Sequence, residues 1–152
     1  MNKVAVLIGS ETDRPILMAA EPYFEYFGIN WELHVLSAHR NPDAVASFAK
    51  DAKDNGYSIL IGAAGMAAHL AGVLKAHTTL PVIGIPLPGG IQDGLDSLMS
   101  TLQMPKGVPV ATMSVGKAGA INAAVFSAEI LGLHDSKIAN ILKEFKSVGC
   151  KL

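Results

Sequence analysis

Val4-Ala5-Val6-Leu7-Ile8, followed by Gly9-Ser10-Glu11-Thr12-Asp13-Arg14-Pro15, decides the architecture. Five apolar residues, three of them β-branched, form a run too short for a helix and apolar on both faces, which reads as a buried parallel strand. Glycine and small polar residues then turn the chain, and Pro15 stands where the first turn of a helix tolerates proline. Working outward, strand-like runs recur at 32–36, 58–61, 82–85 and 109–114 at the spacing of βα units. Helical patterns fill 15–27, 42–55, 67–76, 94–102, 118–131 and 136–146, with Pro42 opening one of them and Asn55-Gly56 and Gly132 reading as stops. The expectation is an α/β chain: a parallel sheet with helices on both faces, a three-layer sandwich, forming one catalytic domain over 1–152.

Half of the 152 residues are hydrophobic, 16% are charged and the mean hydropathy is +0.36, a composition that excludes a disordered chain. So little charge on so short a chain predicts subunit contacts, hence a homo-oligomer. The 118–131 helix, with Glu129 as its only charged residue, is apolar on more than one side, and a second subunit is the expected cover. Twelve basic and thirteen acidic side chains give a net charge of −1, without the basic footprint that nucleic acid requires. Cys150 is the single cysteine, so neither an internal disulfide nor a multi-thiolate metal site can form, as in a reducing compartment. The first residues lack the plan of a signal peptide, and no run approaches the ~20 apolar residues of a membrane span. A cytoplasmic address without membrane contact is the expectation.

In a parallel sheet, ligands bind beyond the carboxyl ends of the strands, so the loops following each run carry the chemistry. The first offers Ser10, Thr12 and Asp13 at a helix start, a candidate phosphate seat, although capping of that helix explains the same residues. The second is Ser37-Ala38-His39-Arg40-Asn41-Pro42, where Arg40 can fork onto a phosphate and His39 is of the residue type that titrates near neutrality. A surface ion pair for Arg40 and a satisfied histidine are the alternative. The third, Gly62-Ala63-Ala64-Gly65-Met66-Ala67-Ala68-His69-Leu70-Ala71-Gly72, brings backbone amides close enough for a carboxylate or carbon dioxide. Gly72, inside the helix, reads as packing. The loop Pro86-Leu87-Pro88-Gly89-Gly90-Ile91-Gln92-Asp93-Gly94 has the composition of a cover over the site. His34, His77 and His134 read as structural. No Cys/His cluster, Walker loop or dinucleotide fingerprint follows any strand, so a required metal or nicotinamide cofactor is not expected.

Gly9-Ser10-Glu11-Thr12-Asp13, Ser37-Ala38-His39-Arg40-Asn41-Pro42, Ala67-Ala68-His69-Leu70, Asp96-Ser97, Gln103-Met104-Pro105 and Gly116-Lys117-Ala118-Gly119 resemble, in order and spacing, the class I N5-carboxyaminoimidazole ribonucleotide mutases of purine biosynthesis. The resemblance runs from about residue 3 to residue 146. It implies a flavodoxin-like subunit, a homo-octamer, and no metal or organic cofactor. It also implies an isomerase that moves a carboxylate from the exocyclic N5 of the substrate to ring carbon C4 by decarboxylation and recarboxylation. Ser10, Ser37 and Arg40 would hold the 5′-phosphate, and Asp13 the ribose hydroxyls. Residues Ala64, Gly65, Met66, Ala67 and Ala68 would hold the migrating carbon dioxide, with His39 as proton-transfer residue and His69 beside it as the second catalytic histidine. Thr12, Ala38 and Leu70 complete the substrate-binding set.

The chain departs from the family at Thr12, where serine is usual, at Arg14 for tryptophan, at Ala71 for proline, and in the cover loop. Related class II carboxylases, which use free carbon dioxide and aminoimidazole ribonucleotide, typically lack a histidine at the His69 position. Two other readings share the topology. An FMN carrier would need aromatic cover from the strand-end loops, whereas Tyr23, Tyr26, Trp31 and Tyr57 lie elsewhere. A non-catalytic nucleotide-binding module leaves His39 and His69 without work.

Overall fold

The computed structural model describes residues 3–152. Five parallel strands, β1 (Lys3–Ile8), β2 (Asn30–Val35), β3 (Ile59–Ala64), β4 (Val82–Pro86) and β5 (Ala111–Thr112), lie in the order β2-β1-β3-β4-β5. Alternation along β1 divides the core. Val4, Val6 and Ile8 face α1 (Arg14–Leu17), α2 (Glu21–Tyr26), α6 (Lys117–Gly132) and α7 (Ser136–Ser147). Ala5 and Leu7 face α3 (Pro42–Asp51) and α4 (Leu70–His77), and α5 (Leu95–Leu102) packs on the same side, against β4 and β5. The two faces make the flavodoxin-like three-layer sandwich. Fully buried side chains such as Leu7, Phe24, Leu60 and Leu74 each contribute about 1.5–3 kcal/mol by leaving water. Edge strand β2, alternately exposed, differs from the fully covered β1, β3 and β4.

Register explains where the site lies. Ile8 of β1 is paired with Val35 of β2 and with Ala63 of β3, so the loops leaving these strands emerge side by side. Because β1 sits between β2 and β3, the second and third loops flank the first at the point where strand order reverses.

Several elements differ from the sequence expectation, each for a local reason. The helix expected over 15–27 is α1 and α2 separated by a 3-10 turn at Met18–Ala20. Pro22 lacks the N–H that would bond residue 18, and its ring crowds that carbonyl. The helix expected from residue 67 starts at Leu70, because Met66 is left-handed at φ 52°. At the far edge, β5 shrinks to two residues beside Pro109, which cannot donate to a ladder.

The second apolar side of α6 finds cover within the chain. Buried Ile138 and Phe145 of α7, with Ile141 and Leu142, close over it. The Gly116-Lys117-Ala118-Gly119 motif is explained by packing at the start of α6: a Cβ on Gly119 would stand 1.8 Å from the Ser114 carbonyl oxygen. Among the described residues no helix is long and apolar enough to cross a membrane.

Candidate active site

A cavity of about 440 Å³ opens at the carboxyl end of the sheet, lined from the loops after β1, β2, β3 and β4. Of the residues singled out from sequence, Ser10, Thr12, Asp13, Ser37, Ala38, His39, Arg40, Ala64, Gly65, Met66, Ala67, His69 and Leu70 all line it, joined by Gly9, Pro88 and Gly89. Ala68 does not. The residue is buried and its amide donates to the Ser100 hydroxyl at 3.0 Å. His34, His77 and His134 stand outside the lining.

The first loop is a 3-10 turn over Glu11–Asp13 capped by Ser10, whose hydroxyl accepts the Thr12 amide at 3.3 Å and lies 2.9 Å from the Thr12 hydroxyl. Capping therefore does occur, and both hydroxyls still border the cavity. Partial burial holds the Asp13 carboxyl above the usual carboxylate range, opposed by the Ser10 backbone N–H. Arg14, the departure from the family pattern, turns outward and forks onto Glu11 at 2.6 and 2.8 Å. That contact accounts for Arg14 as a surface pair outside the lining.

In the second loop the Ser37 hydroxyl accepts the Arg40 amide at 3.3 Å, a turn that delivers Arg40 to the cavity rim just before Pro42 starts α3. No carboxylate among the described residues pairs with the Arg40 guanidinium. An arginine without a counter-ion, beside three hydroxyl side chains in one cavity, is a seat for a planar oxyanion.

His39 and His69 meet across the site. Nε2 of His39 lies 2.8 Å from Nδ1 of His69, with ring centroids 4.9 Å apart and planes at 87°. One nitrogen must donate and the other accept, so the pair holds at least one neutral ring and one shared proton. This contact joins the loop after β2 to the loop after β3 above the end of β1, through the strand order.

The third loop presents the amides of Gly65, Met66 and Ala67. None of them donates to another group of the protein among the described residues. Successive free N–H groups around a left-handed residue form a concave nest for an anion or for an oxygen that gains charge. The Leu87 amide, donating to the Ala64 carbonyl at 2.9 Å, ties this loop to the cover loop. The cover loop is itself fastened. Asp96 accepts the Ile91 amide at 3.0 Å, Asp93 accepts the Gly89 amide at 3.0 Å, and buried Ser97 donates to the Leu87 carbonyl at 2.7 Å. Gly94, at φ 116°, makes the turn back into α5.

No Phe, Tyr or Trp lines the cavity. The aromatic residues cluster instead, as in the Phe24–Trp31 stack at 5.1 Å and the Phe27–Phe145 edge contact at 5.3 Å. An isoalloxazine would therefore find no aromatic cover.

Sequence reasoning missed Ser100, which lies between the Asp96-Ser97 and Gln103-Met104-Pro105 motifs but belongs to neither and does not line the cavity. Only the packing of α5 against the third loop shows its connection.

The comparisons with known proteins agree with this geometry. The family model described as AIR carboxylase matches residues 3–149. The N5-carboxyaminoimidazole ribonucleotide mutase of Escherichia coli (strain K12) is 43% identical over 144 residues, covering 95% of this chain and 85% of that protein. The protein of the same name from Thermotoga maritima is 44% identical over 146 residues, covering 96% and 84%. Among solved structures, Treponema denticola PurE superposes with a TM-score of 0.87 at 27% identity, covering 97% of this chain and 91% of that one. With a family match over nearly its whole length, the chain belongs to the AIR carboxylase family.

Proposed function

We infer that this protein is an N5-carboxyaminoimidazole ribonucleotide mutase of purine biosynthesis, an isomerase that yields the C4-carboxylated ribonucleotide. The observation that carries the site assignment is the His39–His69 contact in the cavity that residues 65–67, with their free amides, also line. Ser10, Ser37 and unpaired Arg40 hold the 5′-phosphate, and Asp13 with Thr12 meets the ribose hydroxyls. Ala38 and Leu70 wall the base, and the loop of Ala64, Gly65, Met66 and Ala67 cradles the carboxylate.

The chemistry follows from that arrangement. The N5–carbon bond breaks and releases carbon dioxide, and the nitrogen takes up one proton. The ring, now an electron-rich enamine, attacks the retained carbon dioxide through C4. His39 removes the C4 proton and restores aromaticity, so proton uptake and release balance. His69 fixes the orientation of the His39 ring and accepts or returns the shared proton. The amide nest favours the productive path because a carbon dioxide molecule kept within reach of C4 reacts as a neighbour rather than by collision.

A carboxylase acting on aminoimidazole ribonucleotide and free carbon dioxide would share the product, and His69 favours the mutase. Conversion of freshly prepared N5-carboxyaminoimidazole ribonucleotide, run beside aminoimidazole ribonucleotide with bicarbonate, tests the assignment. Rapid product from the first alone is expected, and efficient use of the second at modest bicarbonate would make the protein a carboxylase.

The catalytic unit is one domain over 1–152, cytoplasmic, and assembled as a homo-oligomer, with an octamer as the expected form. Support for assembly comes from α5, where Leu95, Met99 and Leu102 are 43%, 52% and 52% exposed and fall on one helix face. A Leu95→Glu, Met99→Glu double variant is expected to lower the mass measured by light scattering. An unchanged mass would remove α5 from the interface.

A further inference from the structure

Ser100 lies on α5, outside the cavity lining, yet it is fastened to the loop that lines it. Its hydroxyl accepts the Ala68 amide at 3.0 Å and approaches the Met66 carbonyl at 3.3 Å, one group on each side of Ala67. The same hydroxyl lies 2.8 Å from the Asp96 carbonyl one turn earlier, which is its best acceptor and holds the side chain in one rotamer. Asp96 in turn accepts the Ile91 amide of the cover loop. A single side chain thus ties the carboxylate loop to the helix that anchors the cover.

Such a tie is needed because of what the loop does at Met66. This residue is left-handed at φ 52° although it carries a side chain, and it is 66% exposed. A long unbranched residue keeps this conformation only when its surroundings impose it. Packing of the Met66 side chain supplies little, so backbone hydrogen bonds must. The left-handed turn lies in the middle of the three residues, Gly65, Met66 and Ala67, whose amides have no partner among the described residues and which line the cavity.

We propose that Ser100 is a positioning residue that sets the carbon dioxide-holding amides of residues 65–67, and that its hydroxyl governs how often released carbon dioxide is recaptured at C4. This rests on the mutase reading of the site. Without the tie the N5–carbon bond still breaks and the nitrogen still takes its proton, but carbon dioxide leaves before the C4 bond forms. Aminoimidazole ribonucleotide and carbon dioxide then appear in place of the C4-carboxylated product.

The experiment follows the two products from N5-carboxyaminoimidazole ribonucleotide with the wild-type protein and with Ser100→Ala and Ser100→Thr. The expected result for Ser100→Ala is a ratio of aminoimidazole ribonucleotide to carboxylated product raised roughly tenfold, a modest change for a displaced reacting partner. Affinity for aminoimidazole ribonucleotide, which lacks the carboxylate but keeps the phosphate, should stay within about twofold, well under the effect of losing a charged contact. Ser100→Thr, which keeps the hydroxyl, should restore the wild-type ratio. A wild-type product ratio in Ser100→Ala overturns the proposal. So does an equal loss of affinity for both ribonucleotides, which would mark a merely structural role. If Ser100→Ala does not fold, Ser100→Cys, a weaker hydrogen-bonding group, is read in its place by the same ratio. Absence of turnover by the wild-type protein on either substrate would instead overturn the mutase reading, a result recognisable before any variant is made.

Discussion

Two histidine-containing networks occupy different parts of the sheet, and their difference separates structure from chemistry. On the β2 edge, His34 lies 3.2 Å from the Tyr57 hydroxyl, which donates to Glu32, while Lys3 pairs with Glu32 at 2.9 Å and sits 4.3 Å above the Tyr57 ring. The His34 ring also packs on Phe48 at 4.7 Å. Glu32, Tyr57, Lys3 and His34 thus find partners in one another, and none of them lines the cavity at the carboxyl end of the sheet. At the carboxyl end, His39 and His69 meet each other, and no carboxylate among the described residues pairs with Arg40. Spare hydrogen-bonding capacity facing a cavity marks the site, rather than histidine as such.

Substitution by asparagine tests that contrast most strongly. His39→Asn is expected to lower kcat by about 10²–10⁴-fold with the melting temperature nearly unchanged, the usual loss for a general acid–base. His34→Asn should leave kcat alone, and a comparable drop there would erase the distinction. Next in size, Arg40→Ala should raise KM for the ribonucleotide roughly ten- to a hundredfold, the range for a hydrogen bond to a charged group, with a smaller change in kcat. Inorganic phosphate should protect the wild-type protein, and not this variant, from thermal unfolding.

The β2-edge network should respond in stability alone. Tyr57→Phe removes the hydroxyl shared by Glu32 and His34, and is expected to cost about 1 kcal/mol, or roughly 2–4 °C in Tm, with kinetics unaltered. The smallest effect concerns acid. The Tyr57 hydrogen bond first, and Lys3 second, hold the Glu32 carboxyl below the usual carboxylate range. A depressed carboxylate stabilises the fold above its unfolded value, and that contribution is lost as pH falls through the folded one. Glu32→Gln should therefore show a shallower acid limb than wild type in denaturation curves, the two converging once Glu32 is protonated. Parallel acid limbs would show that Glu32 contributes no stability for acid to remove.

Much of the fold is legible in the sequence. Apolar runs such as 4–8 could only be strands covered on both sides, and in a parallel sheet that assigns chemistry to the loops that follow them. Ser37, His39, Arg40 and His69 stand out because their side chains are of types that can bind an oxyanion or move a proton. What stayed hidden depends on backbone angles and on strand order. The left-handed turn at Met66 displaced the start of α4, and local preference gives no sign of it in a methionine. That His39 reaches His69 follows from β1 lying between β2 and β3, whereas nothing local to either loop states that they are neighbours. Ser100 was invisible because a serine in a helix resembles any other until its acceptors are known.

The division of labour along the chain has a consequence for its birth on the ribosome. All cavity-lining residues lie between Gly9 and Gly89, so the loops that build the candidate site are synthesised first. The face of the sheet carrying Val4, Val6 and Ile8 gains Ala120, Ala123, Ala124 and Ala128 of α6 only when the last quarter of the chain has emerged. Until then a nascent chain carries every cavity-lining residue on a sheet with one greasy side partly bare, a species prone to capture by chaperones or by its own copies. Translation pauses or truncations between β4 and α6 should therefore yield aggregates rather than weakened enzyme.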